Sequence, residues 1–347
     1  MAGLQKPSLV RTDEGRNLSC VAARSWKLQS KERRQTMSRY LLLFLIGVFL
    51  SSCEHKDLCY DHPLGVDMHL SFDWKNAPDA CPERMMAFFF PVGGGQPVKY
   101  EFMNKTGGKL ESLPRGRYHV LCMNSDTEKV LIKSDAYDMF EIFTTPASLL
   151  EGLGTMVSTE PARPEDEPVV ATPDMIWMDR LESLTVSESD RGDTITLYPA
   201  ESVVRVSCEI RNVQNIKHVT GVIGSLSGMS RSYFAGKDKL SEVRVTHPFA
   251  LSKREENVIT GEFLVFGHCP DTAMHHQLTV YAVLEDGSKW YYRFDKDDVT
   301  RQIHEAPDRH RIHIVLDKLP FPKPIVGGGG MYPSVDDWED VNENIDM

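Results

Sequence analysis

The sequence predicts an all-β protein that contains two tandem β-sandwiches. Short apolar runs, many of them alternating with polar residues, recur through both halves of the 347-residue chain, as half-buried strands require. Helical patterns of the 10–15 residues that parallel α/β crossovers need are missing, which disfavours those folds. A proline- and acid-rich stretch, residues 158–170, divides the chain into halves with roughly seven strands each.

The first half is predicted to begin with a half-buried strand. Val66–Trp74 alternates apolar and polar side chains over nine residues, whereas Met85–Val92 is continuously apolar and predicts a strand buried on both faces. Weaker strand patterns follow at Val98–Met103, Lys109–Leu113, Arg117–Met123 and Met139–Phe143.

The second half repeats this pattern. Strands are predicted at Thr194–Tyr198, Val204–Ile210, Val219–Leu226, Gly261–Gly267, Gln277–Leu284, Lys289–Phe294 and Ile312–Leu316. The Asp286-Gly287 pair between two of these runs is a strong hairpin signal. Asp298–Ile303 predicts one helical turn.

The N-terminal region predicts export. Leu41–Leu50 is an apolar run too short to span a bilayer, which needs about 20 residues, but it fits the hydrophobic core of a signal peptide. If translation starts at Met37, Arg39 supplies the basic flank. Residues 37–52 are therefore predicted to be the signal peptide and residues 1–36 an over-called extension; the alternative is a genuinely long basic flank.

A lipid attachment site is predicted at the end of this leader. Leu50, Ser51, Ser52 and Cys53 match a bacterial lipobox, in which small residues enter the signal-peptidase cleft and the cysteine thiol receives diacylglycerol. Acyl chains such as palmitate contribute about 0.8 kcal/mol per buried CH₂, so they anchor a protein stably. Residues 53–62 would then be anchor and spacer. The alternative is a plain secretory signal with a chance cysteine.

Charge and cysteine content narrow the function classes. Residues 1–52 hold nine Lys/Arg and three Asp/Glu, which leaves 30 basic and 47 acidic residues in the rest of the chain. A body this acidic repels phosphate backbones, so nucleic-acid binding is not expected. Seven cysteines are too sparse for a disulfide scaffold. Cys122 and Cys208 lie on apolar faces and are predicted to be buried.

The sequence contains no enzyme signature, so neither catalytic residues nor cofactors are predicted. Gly224–Gly228 has the spacing of a nucleophile elbow, but Leu226 stands where the nucleophile is required. Two groups of residues have metal-ligand side chains: His268, Cys269, His275 and His276, and the set Cys53, His55, Cys59 and His62. The first is interpreted as a structural loop, and the second loses Cys53 to lipid, so no metal site is predicted. A metal-dependent hydrolase built on the first group remains a third alternative.

A ligand-binding alternative rests on four aromatic residues. Trp177, Trp290, Tyr291 and Tyr292 could form a sugar-stacking surface, although aromatic residues in strands are usually core. This interpretation predicts a glycan- or ligand-binding surface lipoprotein of a nutrient-uptake system.

The folded part is predicted to consist of sandwiches at residues 63–157 and 171–322, joined by the linker 158–170. Residues 323–347 form a tail with four consecutive glycines, Gly327–Gly330, followed by an acidic segment.

Several short motifs resemble a Bacteroidales lipoprotein family that is similar to the anchoring subunits of Bacteroidales fimbriae. The matching segments are Leu58–His62, Phe72–Trp74, Ala77–Ala80, Gly116–Tyr118, Cys122–Glu128, Leu226–Met229, Asp298–Thr300, Gly330–Pro333 and Val335–Trp338. The resemblance covers nearly the whole mature chain, and its motifs are structural rather than catalytic.

This resemblance implies two transthyretin-like, Greek-key sandwiches and a non-enzymatic protein anchored in the outer membrane by lipid on Cys53. It also implies a role in fimbrial anchoring, assembly or adhesion. Partner subunits would bind by strand addition, in which an open sheet edge offers its backbone N–H and C=O groups to another chain.

Overall fold

The computed structural model describes residues 65–150, 152–153, 167–270, 275–324 and 338–341, all within the unit Pro63–Met347. The predicted leader, lipobox and spacer lie outside the described residues. No helix of the described part is long and apolar enough to cross a membrane.

The described part of the chain is dominated by β-strands. The strands of its first two thirds are β1 Gly65–Phe72, β2 Met85–Pro91, β3 Val98–Phe102, β4 Gly107–Pro114, β5 Gly116–Asn124, β6 Val130–Lys133, β7 Glu141–Thr144, β8 Trp177–Val186, β9 Thr194–Leu197, β10 Ala200–Glu201, β11 Val204–Gln214 and β12 Val219–Ser230. The remaining strands are β13 Ser232–Phe234, β14 Lys239–Leu240, β15 Arg244–Ala250, β16 Ser252–Glu255, β17 Val258–Val265, β18 Leu278–Leu284, β19 Lys289–Arg293, β20 Arg311–Pro320 and β21 Trp338–Asp340.

Helices are short. The α-helix α1 spans Lys296–His304, and 3-10 turns occupy Trp74–Asn76, Tyr137–Met139, Glu188–Asp190 and Ile216–His218. Asp295 caps α1 by accepting a hydrogen bond from the Asp297 N–H, and Val299 and Ile303 form its buried face. The helix is longer than the single turn predicted at Asp298–Ile303.

The first sandwich packs a three-stranded sheet, in the order β4-β1-β9, against a five-stranded sheet, in the order β10-β8-β5-β2-β3. Alternate residues of β1 are buried, as the sequence predicted for this strand. Met68, Leu70, Phe89 and Val120 meet in the core between the sheets.

The first sandwich extends well beyond its predicted end at residue 157. Strand β9 pairs in parallel with β1, and β8 pairs antiparallel with β5, so both belong to the first sandwich. The sequence predicts that residues 171–322 form the second sandwich. The pairing instead puts the change of sandwich between β10 and β11, because local alternation indicates a strand but not which sheet it joins.

The second sandwich packs the sheet β16-β17-β11-β20 against the sheet β15-β12-β18-β19-β21. Its core contains Cys208, which is almost fully buried, and burial raises the pKa of this thiol to about 12. The predicted hairpin is confirmed, since β18 and β19 pair antiparallel and Gly287 adopts the positive φ of 82° that its turn needs.

A fifth sheet joins the two sandwiches and was not predicted. It has the order β14-β13-β7-β6, so strands from both halves of the chain contribute to it. It packs on the outer face of β2, where Phe88 contacts Phe140 of the connecting segment at 5.0 Å between ring centroids. The predicted burial of Met85–Val92 on both faces is thereby confirmed for Met85–Phe90, which lie between the core of the first sandwich and the fifth sheet.

Candidate functional site

The predicted lipidation site lies outside the described residues. Leu50, Ser51, Ser52 and Cys53 all precede the first described residue, Gly65. Attachment of lipid at Cys53 therefore stays a prediction.

The four aromatic residues of the alternative ligand surface do not come together. Trp177 lies in the first sandwich, where its ring packs edge-on against Trp74 at 6.3 Å between centroids. Trp290 and Tyr292 pack against the core of the second sandwich. Tyr291 belongs to the opposite face of β19, in the cluster that covers the outside of that sheet. The expected sugar-stacking surface is therefore not assembled from these residues.

Two of the four loop residues weighed as metal ligands do approach each other. His268 and His276 lie 6.0 Å apart between ring centroids, and His304 of α1 lies within 5.1 Å of both. The side chain of Cys269 is directed to the Glu242 carbonyl, and His275 is exposed and paired with Asp297. His304 was missed because it lies 28 residues after His276 on a different element.

Sheet edges are the remaining candidate, because edges carry the backbone groups through which a second chain can bind. The edge strand β20 is covered at its centre by a side chain from α1. Gln302 accepts a hydrogen bond from the Val315 N–H at 2.8 Å and donates one to the Val315 carbonyl at 3.0 Å. The amide group thus takes the place of a neighbouring strand at Val315.

Backbone segments of the same chain lie along the outer strands β15 and β19 of the second five-stranded sheet. The Val170 N–H donates to the carbonyl of Thr246 in β15 at 3.1 Å, and the Thr246 N–H donates to the Pro168 carbonyl at 3.0 Å. On the opposite side, β19 pairs in parallel with β21 from the acidic tail, which is the edge strand there, and Asp340 forms a 3.0 Å ion pair with Arg293. The tail strand is therefore bound within its own chain.

Two further edges carry charged side chains, which oppose pairing with another strand. All four residues of β16, Ser252–Glu255, are exposed, and three of them are charged. On β3 the exposed residues Lys99 and Glu101 form an ion pair at 2.6 Å.

The edge strand β6 differs from these. The Thr145 N–H donates to the Lys129 carbonyl on one side of β7, and the Ala235 N–H donates to the Phe140 carbonyl on the other side. Residues of antiparallel strands alternate between pairs that exchange hydrogen bonds and pairs that do not, so these two bonds set the pattern along both ladders of β7. It follows that the N–H and C=O groups of Val130 and Ile132 point away from the sheet. No described residue hydrogen-bonds these outward groups.

The side chains of β6 are also mostly apolar. Val130 and Ile132 are half-buried against the core between β2 and the fifth sheet, while Leu131 is 42% exposed. Lys133 at the end of the strand is the one charged residue of β6. An apolar edge with outward backbone groups is the type of edge that adds a strand from a partner.

Comparisons with known proteins support the resemblance drawn from sequence. A proposed fimbrium anchoring subunit of Bacteroides ovatus, Fim4B, is 25% identical to this chain over 350 residues, which cover 90% of this chain and 99% of Fim4B. The crystal structure of a proposed Bacteroides ovatus adhesin superposes with a TM-score of 0.56 at 20% identity, covering 78% of this chain and 98% of the adhesin. The fimbrial anchor protein Mfa2 of Porphyromonas gingivalis has a TM-score of 0.42 at 12% identity, over 72% of this chain and 90% of Mfa2.

The adhesin comparison shows that the fold, an all-β arrangement of sandwiches, is shared with a solved protein, as the sequence predicted. Residues 52–250, more than half of the chain, match the family described as Domain of unknown function (DUF5119). The chain therefore belongs to the DUF5119 family.

Proposed function

We propose that this chain is a non-enzymatic, lipid-anchored subunit of a fimbrium, which holds a partner subunit by strand addition at β6. The similarity to Fim4B supports this proposal because it extends over nearly the full length of both chains. The observation that carries it is the apolar edge of β6, with the outward backbone groups of Val130 and Ile132.

The anchor is lipid on Cys53 in the outer membrane. Eleven residues separate Cys53 from Gly65, the first residue of β1. At about 3.3–3.6 Å per extended residue, this spacer holds the first sandwich within about 40 Å of the bilayer surface. A base subunit needs this combination of a stable anchor and a folded body close to the membrane.

Replacement of the lipidated residue tests the anchor. Cys53→Ser removes the thiol, so the protein should leave the membrane fraction and appear in the soluble fraction of the cell envelope. Cys81→Ser is a suitable control because Cys81 is an exposed cysteine of the folded body. If Cys53→Ser remains in the membrane fraction, lipid on Cys53 is not the anchor.

The partner would contribute an extended segment that pairs with β6. Its backbone would complete hydrogen bonds to Val130 and Ile132, and its apolar side chains would cover Leu131. Pairing at this edge adds a fifth strand to the sheet that joins the two sandwiches. A pull on the partner would then be transmitted to both sandwiches rather than to one edge loop.

A pull-down from detergent-solubilised envelopes of the native cells tests the edge. A tagged wild-type chain should retain fimbrial polymer, and Leu131→Glu should reduce the retained polymer by about tenfold, since a charge on an edge opposes pairing. Val243→Glu is the matched control, because Val243 is 48% exposed but lies outside the strands. Equal retention by both variants, or no retention by the wild type, would refute binding at β6.

A further inference from the structure

Three imidazole rings form a cluster in the second sandwich, outside the proposed assembly edge. The Nε2 atoms of His276 and His304 are 3.1 Å apart. One potential ligand atom from each of His268, His276 and His304 lies within 4.8 Å of the others. His276 is fully buried, and the other two histidines are partly buried.

The fold holds these rings from three separate segments. His268 follows β17 and bridges Met229 of β12, while His276 precedes β18 and its N–H donates to the Thr300 hydroxyl of α1. His304 is the last residue of α1. The cluster thus lies where β12, the β17–β18 connection and the end of α1 converge.

Gly228 makes room for the buried ring. It has a φ of +79°, and a Cβ atom at this position would lie 2.7 Å from Nδ1 of His276. Because only glycine adopts this conformation without strain and leaves the space empty, the backbone of β12 is shaped around His276.

Hydrogen bonds to backbone carbonyls fix the tautomers of two of the rings. A carbonyl oxygen can only accept, so Nδ1 of His276 donates to Ser227 at 3.2 Å and Nδ1 of His268 donates to Cys269 at 3.1 Å. Each ring therefore keeps a lone pair on Nε2. Backbone acceptors of this kind fix the ring orientation of histidines that bind metals.

We propose that His268, His276 and His304 bind one Zn²⁺ ion. Zinc–nitrogen bonds are about 2.0–2.1 Å, so two imidazole nitrogens in a tetrahedral site lie about 3.3 Å apart. The 3.1 Å separation between His276 and His304 is close to this value. A rotation of the partly buried His268 ring completes a three-histidine site, with the fourth position left for water.

The sequence alone favours a structural loop here, because His268, Cys269, His275 and His276 lie in a polar stretch without a second close pair of ligand residues. The position of His304 favours a metal site instead, since three converging imidazoles are a typical set of zinc ligands. The ion would link β12, the β17–β18 connection and α1, and so stabilise the second sandwich. This inference does not depend on the proposed fimbrial function.

Titration of the full-length chain with metal tests the site. The protein is first treated with a chelator, which is then removed. In calorimetry, the wild type should bind one more equivalent of Zn²⁺ than a His304→Gln variant does. The Tm of the wild type should rise with Zn²⁺ but not with Mg²⁺. His304→Gln should weaken this binding by roughly 100-fold or more, because even loss of an outer hydrogen-bond partner of a ligand costs about 10- to 100-fold. His310→Gln, which changes an exposed histidine, should bind like wild type.

The absorption spectrum of bound Co²⁺ distinguishes binding at this cluster from binding at other histidines and cysteines of the chain. Co²⁺ bound in tetrahedral geometry absorbs strongly in the visible range, so wild type and His310→Gln should show the band and His304→Gln should lack it. Far-ultraviolet circular dichroism of metal-free His304→Gln should match that of wild type, and His268→Gln serves as the second variant if it does not. Identical zinc affinity and cobalt spectra in wild type and a folded variant, or no saturable binding by wild type, would overturn the proposal.

Discussion

The side-chain amide of Gln302 hydrogen-bonds both the N–H and the C=O of Val315, at 2.8 and 3.0 Å. One side chain thus occupies the position of a neighbouring strand along the edge of β20. The edge of β6 has no such cover among the described residues. This contrast between a covered and an uncovered edge is the basis of the proposed assembly site.

The Gln302 cover can be tested by Gln302→Met, which keeps the length of the side chain but removes both hydrogen bonds to Val315, together with the one that Gln302 donates to Asp298. We expect the free energy of unfolding to fall by about 1–3 kcal/mol, because two backbone groups lose their partners. Arg301→Met is the control, since it removes only the surface ion pair with Asp298, worth about 0–1 kcal/mol. Equal effects of the two substitutions in urea unfolding would show that the cover contributes little.

The acidic tail should contribute to stability through Trp338. Its ring is 8% exposed and packs edge-on against Tyr281, at 5.5 Å between centroids, in the cluster that covers β12 and β18. Trp338→Ala should lower the free energy of unfolding by about 3 kcal/mol, as for other buried large-to-small changes. Met103→Ala, at a 73% exposed position, should change it little. A tail that does not pack would make the two variants equally stable.

Alanine substitutions at Gly228 and Gly94 distinguish the cost of backbone strain from the cost of a contact with His276. Both have positive φ, +79° and +87°, but a Cβ atom at Gly94 would meet nothing within 4 Å. Gly94→Ala should therefore cost about 1–2 kcal/mol from the left-handed conformation alone. Gly228→Ala should cost more and should also alter the cobalt spectrum, because it displaces His276. If both variants lose the same stability and keep the same spectrum, the contact is not important.

Acid should destabilise the fold through His247. This ring is fully buried and donates to the Val170 carbonyl, and burial lowers its pKa to about 4 from 6.5. Below pH 6.5 the unfolded chain binds a proton at His247 more readily than the folded chain does. The contribution of neutral His247 to the free energy of unfolding is therefore complete above pH 6.5 and is lost as pH falls toward 4. The loss is on the order of 3 kcal/mol. His247→Gln should show a flatter dependence of unfolding free energy on pH in this window, whereas an unchanged slope would contradict the pKa shift.

Strands with a clear apolar period were predictable from sequence, but their partners were not. The alternation of Val66–Trp74 and the continuous apolar run at Met85–Val92 reflect burial on one face and on two faces. Strand β8 was missed because charged residues interrupt its pattern. One of these, Arg180, donates to Ala235 and pairs with Asp238 across the junction of the sandwiches, which no local pattern reveals.

The candidate functional sites were likewise predictable only where a contiguous motif defines them. The lipobox at Cys53 is a contiguous motif, so a sequence can predict it without knowledge of the fold. The edge of β6 depends on which neighbours a strand has, and the histidine cluster depends on α1 reaching the β17–β18 connection. The four aromatic residues do not lie on one common face, because adjacent residues of β19, such as Trp290 and Tyr291, point to opposite faces.

Amide hydrogen exchange along β6 tests the central claim most directly. In the isolated chain, the outward N–H groups of Val130 and Ile132 should exchange quickly, while the amide of Leu131, which faces β7, should exchange more slowly. Binding of purified fimbrial polymer should slow exchange at Val130 and Ile132, and Leu131→Glu should abolish this protection. Protection elsewhere on the chain with unchanged exchange at Val130 and Ile132 would contradict strand addition at this edge.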